Sequence, residues 1–202
     1  MTNYQRLYDR MAPFYGVFWE RVRPWRQYTE AVLPELPVGD AILEVGAGPG
    51  VLHTQLAERY PLAVDCDLST GMLKKTQQRL LKNGQLARLV QGNAEILPFA
   101  PNSFAVVTMT FVFSAIPDGP AAMRAFHRVL HPGGLLILVD AGVPSDGNLP
   151  GRMMGRSWEL FGDFMRDEAA LMQQAGFEIV KRQEFGVFSG IRLVVGIKKM
   201  VE

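Results

Sequence analysis

The chain has 202 residues, 48% of them hydrophobic and 20% charged, with 21 basic side chains against 20 acidic ones. That composition excludes extensive disorder, and a formal charge of +1 supplies no field that would gather nucleic acid nonspecifically. The length suits one hydrophobic core with attachments rather than two ordinary domains.

A single cysteine, Cys66, cannot form an internal disulfide and fits a reducing, cytoplasmic compartment. The residues after Met1 lack the apolar run and small-residue cleavage site of a secretory signal, so secretion is not expected. No stretch supplies the roughly 20 consecutive apolar residues of a membrane span; residues 105–116 are too few and include threonines and a serine.

In chain order, residues 1–35 precede a domain at 36–202. Ala41–Val45 reads as a buried strand, followed by a glycine turn and a helix to about Tyr60. A strand at 62–66 and a helix at 71–82 complete a βαβα start. Strands are expected at 87–90 and 104–110, a helix at 121–130, and a fifth strand at 135–139 entered from Pro132-Gly133-Gly134. Residues 142–155, rich in glycine and proline, read as a flexible connection or lid.

A helix at 168–174 closed by Gly176 then leads to two strands, 177–185 and 191–199, with a short turn between them. The expected fold is α/β: a doubly wound, Rossmann-like, seven-stranded and mostly parallel sheet with a C-terminal antiparallel hairpin.

Ile42-Leu43-Glu44-Val45-Gly46-Ala47-Gly48-Pro49-Gly50 places three glycines where a buried strand turns into a helix. Glycine lets backbone approach a ligand closely, and helix N-terminal amides face it, so the segment reads as a nucleotide-cofactor loop. The dinucleotide fingerprint G-x-G-x-x-G requires glycine at 51, which is Val51, and this weakens a nicotinamide reading. No Gly-Lys-Ser/Thr follows, which excludes a P-loop. Glu44 sets a carboxylate beside the loop, where a pyrophosphate is repelled and a cationic, amino-acid-like ligand is favoured. Asp65 and Asp67 follow about twenty residues after the loop, at the end of the second strand, where a carboxylate accepts hydrogen bonds from ribose hydroxyls; Asp67 is the preferred candidate, the alternative being a cap on the next helix.

These residues resemble the class I S-adenosylmethionine-dependent methyltransferases, in the methyltransferase type 11 branch that holds ubiquinone/menaquinone-biosynthesis and phosphatidylethanolamine N-methyltransferases. Residues 44–50 match the first motif, and Asp67-Leu68-Ser69 with Met72-Leu73 the second. Gln91-Gly92-Asn93-Ala94-Glu95-Ile96-Leu97-Pro98-Phe99 is similar to the third, with Asn93 where the family has an acid. Arg128-Val129-Leu130-His131-Pro132-Gly133-Gly134 resembles the element before the fifth strand, and Tyr8-Asp9-Arg10-Met11-Ala12-Pro13-Phe14-Tyr15 the N-terminal element that folds over the cofactor, here with Gly16 in place of an acid.

The resemblance implies that residues 1–35 form a helical lid and that S-adenosylmethionine, with S-adenosylhomocysteine as product, is held by Tyr15, Glu44, Gly46, Ala47, Gly48, Gly50, Asp67, Leu68, Met72, Asn93, Ala94, Glu95 and Thr110. Asn93 would accept from the adenine amino group through its carbonyl oxygen, and the Ala94 amide would serve the ring. Tyr8, Phe111, Phe113, Ser114 and Trp158 are expected on the acceptor side.

No catalytic acid or base stands out, and methyl transfer from a sulfonium needs mainly alignment and exclusion of water. His53, His127, His131 and Cys66 do not make metal-ligand spacing, so no metal is expected. The aromatic and arginine mixture of residues 1–30 suits a peripheral contact with anionic lipid or a helix packed on its own domain. Met153, Met154, Trp158, Phe161, Phe164 and Met165 suit either an apolar acceptor pocket or a core-facing helix.

The expected function is methyl transfer to a small-molecule or lipid-like acceptor, such as a phosphatidylethanolamine amine or a quinone precursor. A nicotinamide-dependent oxidoreductase and a noncatalytic S-adenosylmethionine-binding protein stand as alternatives.

Overall fold

The computed structural model describes residues 23–160 and 163–200. Seven strands form one sheet: β1 Ala41–Val45, β2 Leu62–Asp67, β3 Leu89–Gln91, β4 Phe104–Thr110, β5 Leu130–Ala141, β6 Phe177–Phe185 and β7 Ile191–Lys198. Their order across the sheet is β3-β2-β1-β4-β5-β7-β6. The first five run parallel, and β7 is antiparallel to both β5 and β6, as expected of a hairpin edge.

The helices are α1 Arg23–Thr29, α2 Val51–Arg59, α3 Thr70–Lys82, α4 Gly119–Val129, α5 Leu149–Leu160 and α6 Glu168–Gln174. None of them, among the described residues, is long and apolar enough to cross a membrane.

Strand alternation sends apolar residues to both faces, so both must be covered. Leu43, Val45, Val107, Met109, Leu136 and Leu138 point to one face and pack with Met123, Phe126 and Val129 of α4 and Met172 of α6. Ile42, Ala63, Val106, Ile137 and Val139 point to the other, against Leu52 and Leu56 of α2 and Val32. In α4 the buried Ala122, Met123, Phe126 and Val129 recur at helical spacing, and Asp118 caps the helix by accepting from the Ala121 amide at 2.9 Å. That cap and Pro120 in the first turn start the helix two residues before the sequence reading placed it.

Two other expectations change. β5 begins at Leu130, directly after α4, because residues 131–134 are looped out within the strand: Leu130 pairs with Phe104, and regular pairing resumes at Leu135. Residues 142–155 are not simply a flexible connection, since α5 occupies their second half. Its glycines serve close packing. A Cβ on Gly151 would lie 2.4 Å from the Phe188 carbonyl, and one on Gly155 would lie 2.9 Å from Val143.

A buried polar group joins the C-terminal strands to this region. Arg192 on β7 pairs with Glu168 at 3.0 Å, donates to the Arg166 carbonyl at 2.9 Å, and donates to the Val143 carbonyl. Burial raises the Glu168 carboxyl, and the neighbouring Arg192 charge opposes that rise. Nearby on β5, Asp140 accepts from the Ser114 amide (2.8 Å), the Ser114 hydroxyl (2.9 Å) and the Ala141 amide (2.7 Å). Burial still pushes its carboxyl up to about 7, because the donors around it do not replace bulk water and the Glu168 charge adds to the rise.

Replacing Arg192 by Ala leaves a buried carboxylate and two carbonyls unserved; a loss of about 3–5 kcal/mol is expected in urea unfolding. For Asp140 the folded pKa lies above the unfolded one, so its contribution is full below the ordinary value of 3.8 and is lost as pH rises from there through about 7. The destabilisation caused by Asp140→Asn, measured by urea unfolding, is therefore expected to shrink between pH 5 and pH 8.

Candidate functional site

The strand order reverses between β1 and β4, and a crevice opens there at the carboxyl ends of the strands. It holds a cavity of about 350 Å³, within the range of small-molecule sites. The glycine loop forms one wall. Gly46, Gly48 and Gly50 have φ of +71°, +57° and +77°, a region other residues enter at a cost.

Each glycine is needed for a different reason. A Cβ on Gly46 would lie 2.7 Å from Val112, and one on Gly50 would lie 2.8 Å from Thr76, whereas Gly48 has nothing within 4 Å and leaves its backbone open. Gly46 and Gly48 line the cavity; Gly50 is turned against α3 and does not. The loop is pinned by Thr76 Oγ1, which donates to the Gly48 carbonyl (2.9 Å), and by Arg79 Nε, which donates to Pro49 (2.8 Å).

Behind the loop, Asp65, Glu44 and Thr108 occupy one register row across β2, β1 and β4. Glu44 lines the cavity and is 2.9 Å from His53 Nδ1 through its Oε2; both side chains are buried. His53 is thus a packing residue of α2 that fixes one oxygen of Glu44. Asp65 lies beneath the loop, accepting from the Ala47 amide at 3.2 Å. Burial, then the neighbouring Asp67 and Glu44, hold its carboxyl well above the usual carboxylate range.

Of the two candidate aspartates, Asp67 is the one at the cavity surface. Its Oδ1 accepts from the Ser69 amide at 2.8 Å, while Ser69 itself caps α3 by accepting from Met72. Cys66 also lines the cavity, but burial and the two aspartates push its thiol up to about 12, so it is no nucleophile.

The turn after β3 supplies the third wall. Asn93 accepts from the Glu95 amide (3.0 Å) and donates through Nδ2 to Glu95 Oε2 (3.1 Å), while Glu95 Oε1 accepts from the Asp118 amide (2.9 Å). This explains the amide at position 93: an aspartate there would face a second carboxylate. Asn93, Ala94, Glu95, Leu68 and Met72 all line the cavity.

The exit of β4 supplies the fourth, with Thr110, Phe111, Val112, Ala115, Ile116 and Pro117. Arg166 braces this segment from behind, donating to the carbonyls of Ile116 and Pro117 at 2.7 Å each. Phe111 has φ of +56°, and its ring stacks on Trp25 of α1 with centroids 3.8 Å apart.

The cavity thus brings together Glu44, Gly46, Ala47, Gly48, Asp67, Leu68, Met72, Asn93, Ala94, Glu95, Thr110 and Phe111. Three residues expected on the acceptor side are elsewhere. Phe113 is in the core, Ser114 is buried on Asp140, and Trp158 belongs to α5 and does not line the cavity. Tyr8 and Tyr15 fall outside the described residues. Sequence reasoning missed Trp25, Arg26 and Thr29 of α1 and Arg79 of α3. The aromatic richness before residue 30 was the available signal for Trp25. Among the described residues, no group of three or more His, Cys, Asp or Glu could hold a metal ion.

Comparison with known proteins agrees with this architecture. The model of a methyltransferase domain matches residues 43–138. The ubiquinone/menaquinone biosynthesis C-methyltransferase of Legionella pneumophila (strain Paris) is 31% identical over 182 residues, covering 85% of this chain and 69% of the relative. Among solved structures, an S-adenosylmethionine-dependent methyltransferase of Methanosarcina mazei is similar with a TM-score of 0.68 at 20% identity, covering 85% of this chain and 98% of that one. Phosphoethanolamine N-methyltransferase 2 of Haemonchus contortus, solved with S-adenosyl-L-methionine, also gives 0.68, at 18% identity over 87% of this chain and 53% of its own. These two likenesses show the fold; the sequence identity to the Legionella enzyme, along so much of both chains, shows that this chain belongs to the class I S-adenosylmethionine-dependent methyltransferases.

Proposed function

We propose that this enzyme methylates a quinone precursor or a similar small ring compound, admitted between α1 and the exit of β4. The observation that carries the donor side of the reading is the position of Asp67. It ends β2 at the cavity surface, facing a glycine loop whose backbone is open at Gly48. A ribose diol, a flat adenine and a cationic amino-acid end all find suitable partners in this cavity.

Asp67 would accept from the ribose hydroxyls, and Leu68 and Met72 would sandwich the adenosine with apolar surface. The Asn93 carbonyl accepts one bond internally and keeps a second lone pair for the adenine amino group. The second oxygen of Glu44, the one His53 does not hold, would attract the ammonium. Bound S-adenosylmethionine supplies an activated sulfonium methyl group.

The chain's own contribution is alignment and exclusion of water. The acceptor end is walled by Phe111, Val112, Ala115, Ile116 and Pro117, with the Thr110 hydroxyl among them. The acceptor class is supported by the Legionella relative, whose name is that of a quinone-biosynthesis C-methyltransferase, and by this apolar lining.

Calorimetric titration of S-adenosylhomocysteine tests the donor reading: micromolar binding by the wild type, corresponding to about −8 kcal/mol, and at least a tenfold loss in Asp67→Ala are expected. Absence of binding by folded wild type would overturn it. Asn93→Asp exchanges the Nδ2 donor for an oxygen 3.1 Å from Glu95 Oε2. The two carboxylates repel and loosen the turn, so the variant's affinity for S-adenosylhomocysteine in the same titration is expected to fall below that of the wild type.

A further inference from the structure

Phe111 is the first residue beyond β4, and a non-glycine residue at positive φ is uncommon there. Its amide donates to the Val139 carbonyl at 2.8 Å, which fixes the backbone in that form. The bend turns the ring away from the strand direction and onto Trp25, with an interplanar angle of 25°. Strain of this kind persists where surrounding contacts over-determine it, and it concentrates at ligand clamps.

Trp25 sits on a seven-residue helix whose Trp25, Arg26 and Thr29 all reach the cavity. α1 continues into the short 3-10 turn Glu30–Glu35, which is anchored to the body by Gln55, donating to Glu30, and by Lys181, paired with Glu35. Tyr28 of α1 accepts from the Val187 amide at 3.2 Å and packs edge-on against Phe185, so the end of the helix is held to the sheet while Trp25 lies near its start. The stack lies at the β4 end of the cavity, remote in the sheet from the Asn93 turn that follows β3.

We propose that Phe111 and Trp25 form the acceptor seat and its gate: a flat aromatic acceptor enters between the two rings, which close on each other in its absence. This rests on the methyl-acceptor reading above and assigns it to two residues. A flat ring between them exchanges one aromatic pair for two, so it enters without leaving either ring face exposed. A small zwitterionic amine gains less, because its phosphate must leave water against apolar ring faces that offer it no hydrogen bond. Phe111 and Trp25 are thus specificity-determining residues, and Trp25 also covers the site when no acceptor is bound.

The test is calorimetric titration of 2-naphthol, and separately of phosphoethanolamine, into protein saturated with S-adenosylhomocysteine. The wild type is expected to bind 2-naphthol at least tenfold more tightly than phosphoethanolamine. Phe111→Leu and Trp25→Ala should each weaken 2-naphthol at least tenfold and change the affinity for S-adenosylhomocysteine less than threefold, which also shows that they fold; Trp25→Phe should recover most of the loss. Unchanged 2-naphthol affinity in both variants, or no preference over phosphoethanolamine, would overturn the seat while leaving donor binding standing. Failure of the wild type to bind S-adenosylhomocysteine would instead overturn the reading beneath it, and the seat with it.

Discussion

The molecule depends on one sharp reversal, in which a strand buried along its whole length turns within five residues into a helix on the other side of the crevice. Three positive-φ glycines make the turn possible, but glycine's freedom alone would leave a loose loop. What fixes it is contact from three directions. Val112 presses on Gly46, α3 presses on Gly50 and holds two loop carbonyls, and the Asp65 carboxyl holds the Ala47 amide from below. With those positions filled, Gly48 is the part of the loop left open to a ligand.

The same arrangement divides labour among the acids. Asp65 and Glu44 are neighbours in one row of the sheet, and burial, Asp67 and then Glu44 raise the Asp65 carboxyl. The structure separates them by use: Asp65 is sealed under the loop, Glu44 is oriented by His53, and Asp67, one strand step further on, reaches the cavity. A ligand that is cationic at one end and carries a diol at the other suits this gradient from buried to exposed carboxylate.

Most of the cavity wall proposed to hold the donor was legible in the sequence because its signals are local. The glycine spacing, the acids at the end of β2 and the Asn93-Ala94-Glu95 turn are each contiguous, and each sits where a strand ends. The wall proposed for the acceptor was less legible because it depends on long-range placement. Phe111, Phe113 and Ser114 are near neighbours in sequence, yet the bend at Phe111 sends its ring to the cavity while Phe113 goes to the core and Ser114 to Asp140, 26 residues away. Likewise Gly151 and Gly155 suggested flexibility, whereas their missing Cβ atoms let a helix press on the segment at 142–144 and on the turn before β7. Local composition is the same in both cases; only the tertiary neighbour differs.

β7 lies between β5 and β6 although it follows both in the chain. Through Arg192 it holds the segment 166–168, and Arg166 in turn holds the carbonyls of Ile116 and Pro117. During synthesis, the glycine loop and its acids emerge with all their partners well before β7 does. The segment at 116–117 gains the full support of its brace when β7 slots into the gap, so a nascent chain can shape the glycine-loop wall of the cavity first and its β4 wall last.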